Sequence, residues 1–496
     1  MFASIKRLVK HSAVYTLGSL LRKSLSFVLL PLITRFMPAS EYGLYSLLMA
    51  FNGFLAEIYT FGLGGAATRL FFDFSDRESR KKYIGTVWLF SLGSTLLLSI
   101  LLTLFGKPLF ARFLKEVPFW PHLALIIWTT FIGEFALLPH VLLRVEEKSW
   151  QFMAVVVGNA LLNAVFAVVL VVHFRLGALG LVVAFFGTAV VMAVVYAFIL
   201  RRYVDLHLRT FPVRSWLKAS LVYGAPIVVL ELGWILLESS DRFLLQYFLT
   251  LKVVGYYSLA YALSKVINYI TDSINLAWTP FFYKTASEEP HEAPRVFAYA
   301  ATYYALLLAV LGLLIIVLRD QFVALLAPSE YWPAVSVTPI IVLASILRGL
   351  YNIPARGLYQ EKRTYVFPLI VFGGAGLNVL LNVLTIPRYG MFGAAWSTAI
   401  SYGFMLVVTL VLSQRAYPIP YETARLGKLA AVSLGVLAVA ETVLAQHTAV
   451  AAILRATLVL AIPLFLFVSG FYEPRELELL RVVVSRRAAG FVGRAS

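Results

Sequence analysis

The stretch KVINYITDSINLAW, residues 265 to 278, places Lys265, Asn268, Asp272 and Asn275 at steps of three, four and three inside an apolar run. On an α-helix that spacing makes one polar stripe, with Val266, Ile270 and Ile274 opposite it and Tyr261 and Ser258 continuing it. Lys265 and Asp272 stand two turns apart, about 10 Å along the axis, too far to pair directly. Each needs water, a neighbouring helix or a ligand. Ser12, Ser19, Arg22 and Ser26 repeat the pattern near the start of the chain, with Thr16 and Lys23 at the edge. Glu231, Glu238, Asp241 and Arg242 do so in the middle, and Asn52, Glu57, Glu134 and Arg348 add further polar groups to apolar segments.

A charge at mid-bilayer costs about 2.5 to 3.5 kcal/mol on insertion scales, so it faces protein or water. Glu238 and Arg242, one turn apart, can neutralise each other, whereas Glu134, Glu441 and Arg455 stand alone and read as structural or interfacial. Arg22, Lys23 and Lys265 have no acid at helical spacing in their own segments. The reading that follows is a water-filled cleft. Its cations Arg22, Lys23, Lys265 and Arg348, with the amides Asn268 and Asn275, would hold an anion such as a phosphate ester through charge-assisted bonds. Glu57, Asp272, Glu238 and Asp241 would balance those cations or carry a coupling proton or sodium ion; no other cofactor is expected.

The elements that must position these groups are membrane helices. Of 496 residues, 60% are hydrophobic and 14% charged, against about 25% charged in an ordinary soluble domain, and the mean hydropathy is +0.84. A span needs about 20 apolar residues, and fourteen such segments are predicted: 12–36, 43–64, 83–105, 119–143, 152–172, 177–200, 219–249, 253–281, 297–318, 335–358, 364–386, 389–412, 426–446 and 449–470. The fold class is thus an all-α integral membrane protein.

The net charge of +17 does not call for nucleic acid, because the 42 Lys and Arg residues gather on alternate connections and both tails. Examples are Arg77, Arg80, Lys81 and Lys82, then Arg201, Arg202, Arg209, Arg214 and Lys218, and finally Arg486 and Arg487. By the positive-inside rule both termini are cytoplasmic. The opening MFASIKRLVKH reads as an interfacial basic segment before a retained first helix, since the following span contains Arg22 and Lys23 and lacks a small-residue cleavage site.

The halves of the chain repeat. At an offset of 212, RFMPASEYGLYSLLMA (35–50) meets YFLTLKVVGYYSLAYA (247–262), matching Phe36, Gly43, Tyr45, Ser46, Leu47 and Ala50 to Phe248, Gly255, Tyr257, Ser258, Leu259 and Ala262. FRLGALG (174–180) meets PRYGMFG (387–393) at 213, and each is preceded by an Asn doublet, Asn159 and Asn163 or Asn378 and Asn382, which needs six residues of slippage from that register. An even number of spans per repeat gives two lobes in the same orientation, related by an axis along the membrane normal. The predicted organisation is a basic segment 1–11, a first lobe 12–200, a linker 201–218, a second lobe 219–412, two extra spans 413–470 and a basic tail 471–496, which can hold anionic lipid.

Enzymatic readings find little support. The seven histidines are never i, i+4, no glycine-rich phosphate loop is present, and there is no cysteine for thiolate chemistry. A membrane polysaccharide polymerase or lipid-linked glycosyltransferase tends to carry a large catalytic loop, and no predicted connection here is that long.

TRFMPASEYGLYSL at 34–47 and LNVLTIPRYGMFGAAWSTAISY at 381–402 resemble the polysaccharide flippases of the multidrug, oligosaccharidyl-lipid and polysaccharide exporter superfamily. The resemblance extends over nearly the whole chain. It implies translocation of a polyprenyl-diphosphate-linked oligosaccharide across the cytoplasmic membrane by alternating access, with other polysaccharide-assembly membrane proteins and membrane lipids as partners. Relatives use cations in the central cavity for the diphosphate or acidic sugars, which fits Arg22 and Lys265 by position. Tyr15, Tyr261, Tyr269 and Trp278 would suit sugar rings. A peptidoglycan-precursor flippase shares the fourteen spans and cationic cavity, whereas drug antiporters of the superfamily usually have twelve spans and acidic cavities.

Overall fold

The computed structural model describes residues 2–204, 213–444, 448–474, 476 and 478; the side chains of residues 2–13 and of Thr16 fall outside that description. The central part of the predicted linker, including Arg209, and most of the basic tail, including Arg486 and Arg487, therefore lie outside the described residues, as do the side chain of Ser12 and those of the opening basic segment. Among the described residues the structure is helical, with no strand. In chain order the helices are α1 (Phe2–Phe36), α2 (Ala39–Thr60), α3 (Leu63–Leu70), α4 (Arg77–Ala111), α5 (Ala124–Gly133), α6 (Leu137–Val145), α7 (Ser149–Val168), α8 (Gly177–Leu200) and α9 (Arg214–Phe248). There follow α10 (Leu251–Glu288), α11 (Ala293–Val317), α12 (Arg319–Leu326), α13 (Pro333–Gln360), α14 (Val366–Ala416), α15 (Thr423–Thr442), α16 (Ala449–Leu460) and α17 (Ile462–Val468).

Ten helical stretches are long and apolar enough to cross a bilayer, and twelve are if α2 with α3 and α16 with α17, each bent by more than 40°, count as one crossing apiece. Two more have physical reasons for escaping that tally. Helix α10 has 38 residues but carries the polar stripe, and α14 has 51 residues, over twice the length of a crossing. At Gly390, φ is +57° and ψ −135°, so α14 is two crossings joined at a break. Counted in this way the helices agree approximately with the fourteen predicted segments, of which residues 445 and 446 lie outside the described residues.

The break exposes the internal repeat. Gly177, the partner of Gly390, has φ +54° at the start of α8, a backbone region that only glycine enters without cost. One Asn of each doublet bonds across to the next crossing. Asn163 donates to Thr188 at 3.4 Å in the first lobe, and Asn378 donates to Thr398 at 3.2 Å in the second, tying α7 to α8 and the two halves of α14.

Where the lobes meet, the matched residues touch each other. The Ser46 and Ser258 hydroxyls are 2.7 Å apart across the α2/α10 crossing. A Cβ on Gly43 would overlap the Leu251 carbonyl, and one on Gly255 would overlap the Ala39 carbonyl. Glycine lets the two backbones approach, as small residues do in membrane helix pairs. At the same end, Tyr331 donates to the Met37 carbonyl (2.9 Å), the Ala39 amide reaches Glu330 (3.3 Å), and the Leu251 amide reaches Glu116 (2.8 Å). Toward the other end α9 closes on the first lobe, with Gly224 against Gly62 and the Tyr83 and Ser220 hydroxyls 3.0 Å apart. The last two crossings sit on α11 around a shared core of Leu313, Val317, Leu429, Val436 and Val459.

Candidate functional site

The stripe on α10 faces α2, α9 and α13, and with them encloses a polar cavity of about 190 Å³ between the lobes. Three cations line it, Arg242 from α9, Lys265 from α10 and Arg348 from α13, together with the carboxylate of Glu238, the amide of Asn268 and the rings of Tyr261 and Tyr402. Lys265 is exposed to the cleft, and no carboxylate lies within 4 Å of its ammonium among the described ion pairs. Among the described residues the Asn268 carbonyl oxygen and the Arg348 Nε are each buried with no hydrogen-bond partner. Orphaned groups of this kind in a polar cavity are prepared to meet a ligand or water.

A chain of charges runs beside this cavity. Arg348 pairs with Glu238 at 3.2 Å and lies 3.9 Å from Asp272, and Asp272 pairs with Lys23 of α1 at 3.3 Å. Lys23 also sits 4.6 Å over the Tyr269 ring. Among the described ion pairs, Lys23 with Asp272 is the one that joins the two lobes inside the membrane region. Its carboxylate is 47% exposed, so water reaches this contact.

Several sequence expectations change in detail. Glu238 and Arg242 do not neutralise each other across a turn: Arg242 donates to the backbone carbonyl of Glu238 (2.7 Å) and lies 3.7 Å from Asp241, while the Glu238 carboxylate turns to Arg348. Asp241 is fully buried, accepting from the Tyr257 hydroxyl at 2.6 Å and from the Arg242 amide, so it faces the second lobe's core. Asn275 does not line the central cavity; it accepts from Arg356 at 2.7 Å in a separate one. Glu57 is half-buried on α2, outside the central cavity, with Glu231 of α9 as its charged neighbour and no cation within 4 Å among the described ion pairs. Arg22 is exposed on α1, likewise without a carboxylate partner among the described pairs.

The acids and bases that stood alone in sequence find partners across helices. Glu134, 5% exposed, accepts from Ser91 of α4 at 3.1 Å. Glu441 takes a bidentate pair with Arg319, and Arg455 caps the Leu444 carbonyl beside Asp320. Sequence reading missed Arg356 as an interior residue because the apolar segment ends at 358, which makes it look interfacial. Among the described residues no cluster of His, Asp and Glu is arranged to hold a metal ion.

Two lobes of six crossings around a cationic cleft are the architecture of a membrane transporter. A sequence profile described as polysaccharide biosynthesis protein matches residues 8–286. The chain belongs to that family, and its fold is that of the exporter superfamily named above. Among solved structures it is similar to the lipid II flippase MurJ in an inward closed conformation, with 15% identity, TM-score 0.74, and 94% of this chain and 99% of that one covered. It is also similar to an inward-facing multidrug resistance MATE family transporter, with 17% identity, TM-score 0.66, and coverage of 79% and 94%. An uncharacterised membrane protein of Methanocaldococcus jannaschii is 23% identical over 236 residues; the match spans 45% of this chain and 45% of that relative's length.

Proposed function

We propose that this protein carries a polyprenyl-diphosphate-linked oligosaccharide from the inner to the outer leaflet of the cytoplasmic membrane by alternating access, for assembly of a cell-surface polysaccharide. The observation that carries the reading is the cavity between the lobes, where Arg242, Lys265 and Arg348 outnumber the single lining carboxylate of Glu238. A diphosphate brings the compensating negative charge and acceptors for the orphaned Arg348 Nε and the Lys265 ammonium. The polyprenyl tail stays in lipid, and the head group enters from the α1/α10 side, which is held by the water-exposed pair of Lys23 and Asp272.

On this reading residues 12–200 and 219–412 rock as two bodies, residues 413–470 travel with the second, and both termini are cytoplasmic. The close packing near Gly43 and Gly255 then seals the outer side. Glu57, with no cation within 4 Å among the described ion pairs, is the carboxylate best suited to take up a coupling proton or sodium ion, whereas Glu238, Asp241 and Asp272 already serve arginine or lysine. Other membrane-bound polysaccharide-assembly proteins would supply and consume the substrate.

The test is reconstitution in liposomes, following exposure of a polyprenyl-diphosphate oligosaccharide on the opposite leaflet. Removing one charge-assisted contact costs about 1.5 to 3 kcal/mol, so Lys265→Ala and Arg348→Ala should each lower apparent substrate affinity by about tenfold to a hundredfold. Full activity in both variants would refute the site. Transport of an organic-cation dye instead would mark an antiporter, and movement of a peptidoglycan precursor alone would mark that substrate.

A further inference from the structure

Helices α2 and α10 begin without caps of their own. Pro38 precedes α2 and Thr250 precedes α10, and neither side chain bonds an amide of the helix it opens, so the leading N–H groups need acceptors from elsewhere. The opposite lobe supplies them. Glu330, which follows α12 in the second lobe, accepts from the Ala39 amide of α2 at 3.3 Å, and Glu116, which follows α4 in the first lobe, accepts from the Leu251 amide of α10 at 2.8 Å. Ala39 and Leu251 are repeat partners at offset 212, and Glu116 and Glu330 stand 214 apart. The exchange is thus reciprocal. Each lobe gives a carboxylate to the equivalent helix start of the other, where the partial positive charge of the helix favours an anion.

The same symmetry continues beside the carboxylates. Thr34 of α1 donates to the Leu326 carbonyl. Its repeat partner at 212, Gln246 of α9, donates to the Phe113 carbonyl at 3.1 Å when its amide is oriented so that the oxygen accepts from the Lys115 and Glu116 amides. Tyr331 adds its bond to Met37, and the Lys115 ammonium lies 4.3 Å over the Tyr247 ring. All of these contacts cross between the lobes at one end of the molecule. At the opposite end the lobes meet through Gly62 with Gly224, the Tyr83 and Ser220 hydroxyls and the Phe74 and Trp216 rings, none of them charged. Hydrogen bonds to an ionised acceptor are stronger than neutral ones, so Glu116 and Glu330 add a closing contribution of a kind absent from the contacts named at the other end. Both carboxylates are exposed, so water can take over the acids and the amides when the lobes separate.

We propose that Glu116 and Glu330 form a pair of reciprocal latches that holds the outer side of the cleft shut and so sets the resting orientation of the transporter. This rests on the alternating-access reading above and adds the residues that control its outer opening. Both are positioning residues, since neither lines the central cavity. Two lobes that part as rigid bodies break both latches in one motion, so the two contributions to the closed state add. Glu41 supplies the contrast. It lies at the same end and caps the Ala178 amide of α8 at 2.6 Å, but both partners belong to the first lobe, and that bond survives when the lobes separate.

The experiment uses the full chain in nanodiscs, with spin labels on Leu109→Cys and Leu325→Cys, exposed positions at this end of the first and second lobes, and reads the distribution of distances between them. The otherwise unchanged latch should give mainly one short distance. Glu116→Ala and Glu330→Ala should each raise the ratio of a discrete longer distance to the short one by about twofold to thirtyfold, the range for loss of a helix N-terminal cap. The double variant should raise it by the product of the two. Glutamine at either position keeps an acceptor and loses the charge, and should shift the ratio less than alanine does. Glu41→Ala should leave the ratio unchanged, which separates a latch between lobes from a cap that only supports its own helix. A single unshifted distance in the double variant, mere broadening of the short distance, or an equal shift from Glu41→Ala would overturn the latch. So would the longer distance already dominating with both glutamates in place. Whether a polyprenyl-diphosphate oligosaccharide crosses the membrane is decided by the liposome assay alone, so the latch and the transport reading fail separately.

Discussion

The seam at Gly43 and Gly255 makes a quantitative demand on sequence. A methyl group at either position meets a backbone carbonyl, of Leu251 or Ala39, and not the tip of a flexible side chain. Neither helix can relieve the overlap by changing a rotamer, so α2 and α10 must part. Overpacking of this kind costs about 1 to 3 kcal/mol, which moves the ratio of closed to open seam by about 5-fold to 150-fold. The chain has no native cysteine, and Ala39 is fully buried at the seam, so labelling of Ala39→Cys by a membrane-impermeant maleimide reads the open fraction directly. In that background Gly43→Ala and Gly255→Ala should each raise the labelling rate within that range. The double variant should resemble the stronger single one, because one separation of the helices relieves both overlaps and the effects are not additive. Unchanged labelling in folded single variants would refute the need for glycine here. A double effect equal to the product of the singles would refute the shared seam.

Two further perturbations test how the parts are held together. Exchanging the lobe-spanning pair, as Lys23→Asp with Asp272→Lys, should restore much of the transport lost in either single variant if the contact at 3.3 Å acts as an ion pair; a double-mutant cycle with no coupling would assign both residues to other partners. Arg425 binds Glu422 at 2.8 Å and Glu476 at 3.1 Å and approaches the Tyr303 hydroxyl at 3.3 Å, fastening α15 to α11 and to the segment after α17. Arg425→Ala strands two half-buried carboxylates, a loss of about 3 to 5 kcal/mol for a buried pair and less for one that water partly reaches, so the detergent melting temperature should fall clearly while the central cavity's affinity for a polyprenyl diphosphate stays the same. An unchanged melting temperature would show that apolar contacts alone hold the last two crossings.

Hydrophobic runs of membrane length made the crossings legible, and the reason is the bilayer itself, which forces every buried backbone group into a helix. Periodicity also located the polar face of α10, because a stripe at i, i+3, i+7 and i+10 is a property of one helix. Partners are not such a property. Glu238 lay one turn from Arg242 in sequence, yet its carboxylate went to Arg348, more than a hundred residues away, because helix packing and not spacing decides which charges meet. Lys23 had no acid on its own helix and found Asp272 on the other lobe in the same way. Arg356 was harder still. Its cavity is assembled from four helices, none of which looks unusual alone, and only the three-dimensional arrangement reveals that the guanidinium inside it has Asn275 as a partner and no carboxylate within 4 Å among the described ion pairs. A sequence repeat is the exception that carries tertiary information: Gly43 with Gly255 and Ser46 with Ser258 were matched by offset, and the same pairs lie against each other at the lobe interface. Residues near a two-fold axis meet their own equivalents, so the best-matched stretch of an internal repeat is also where the axis of a two-lobed transporter passes.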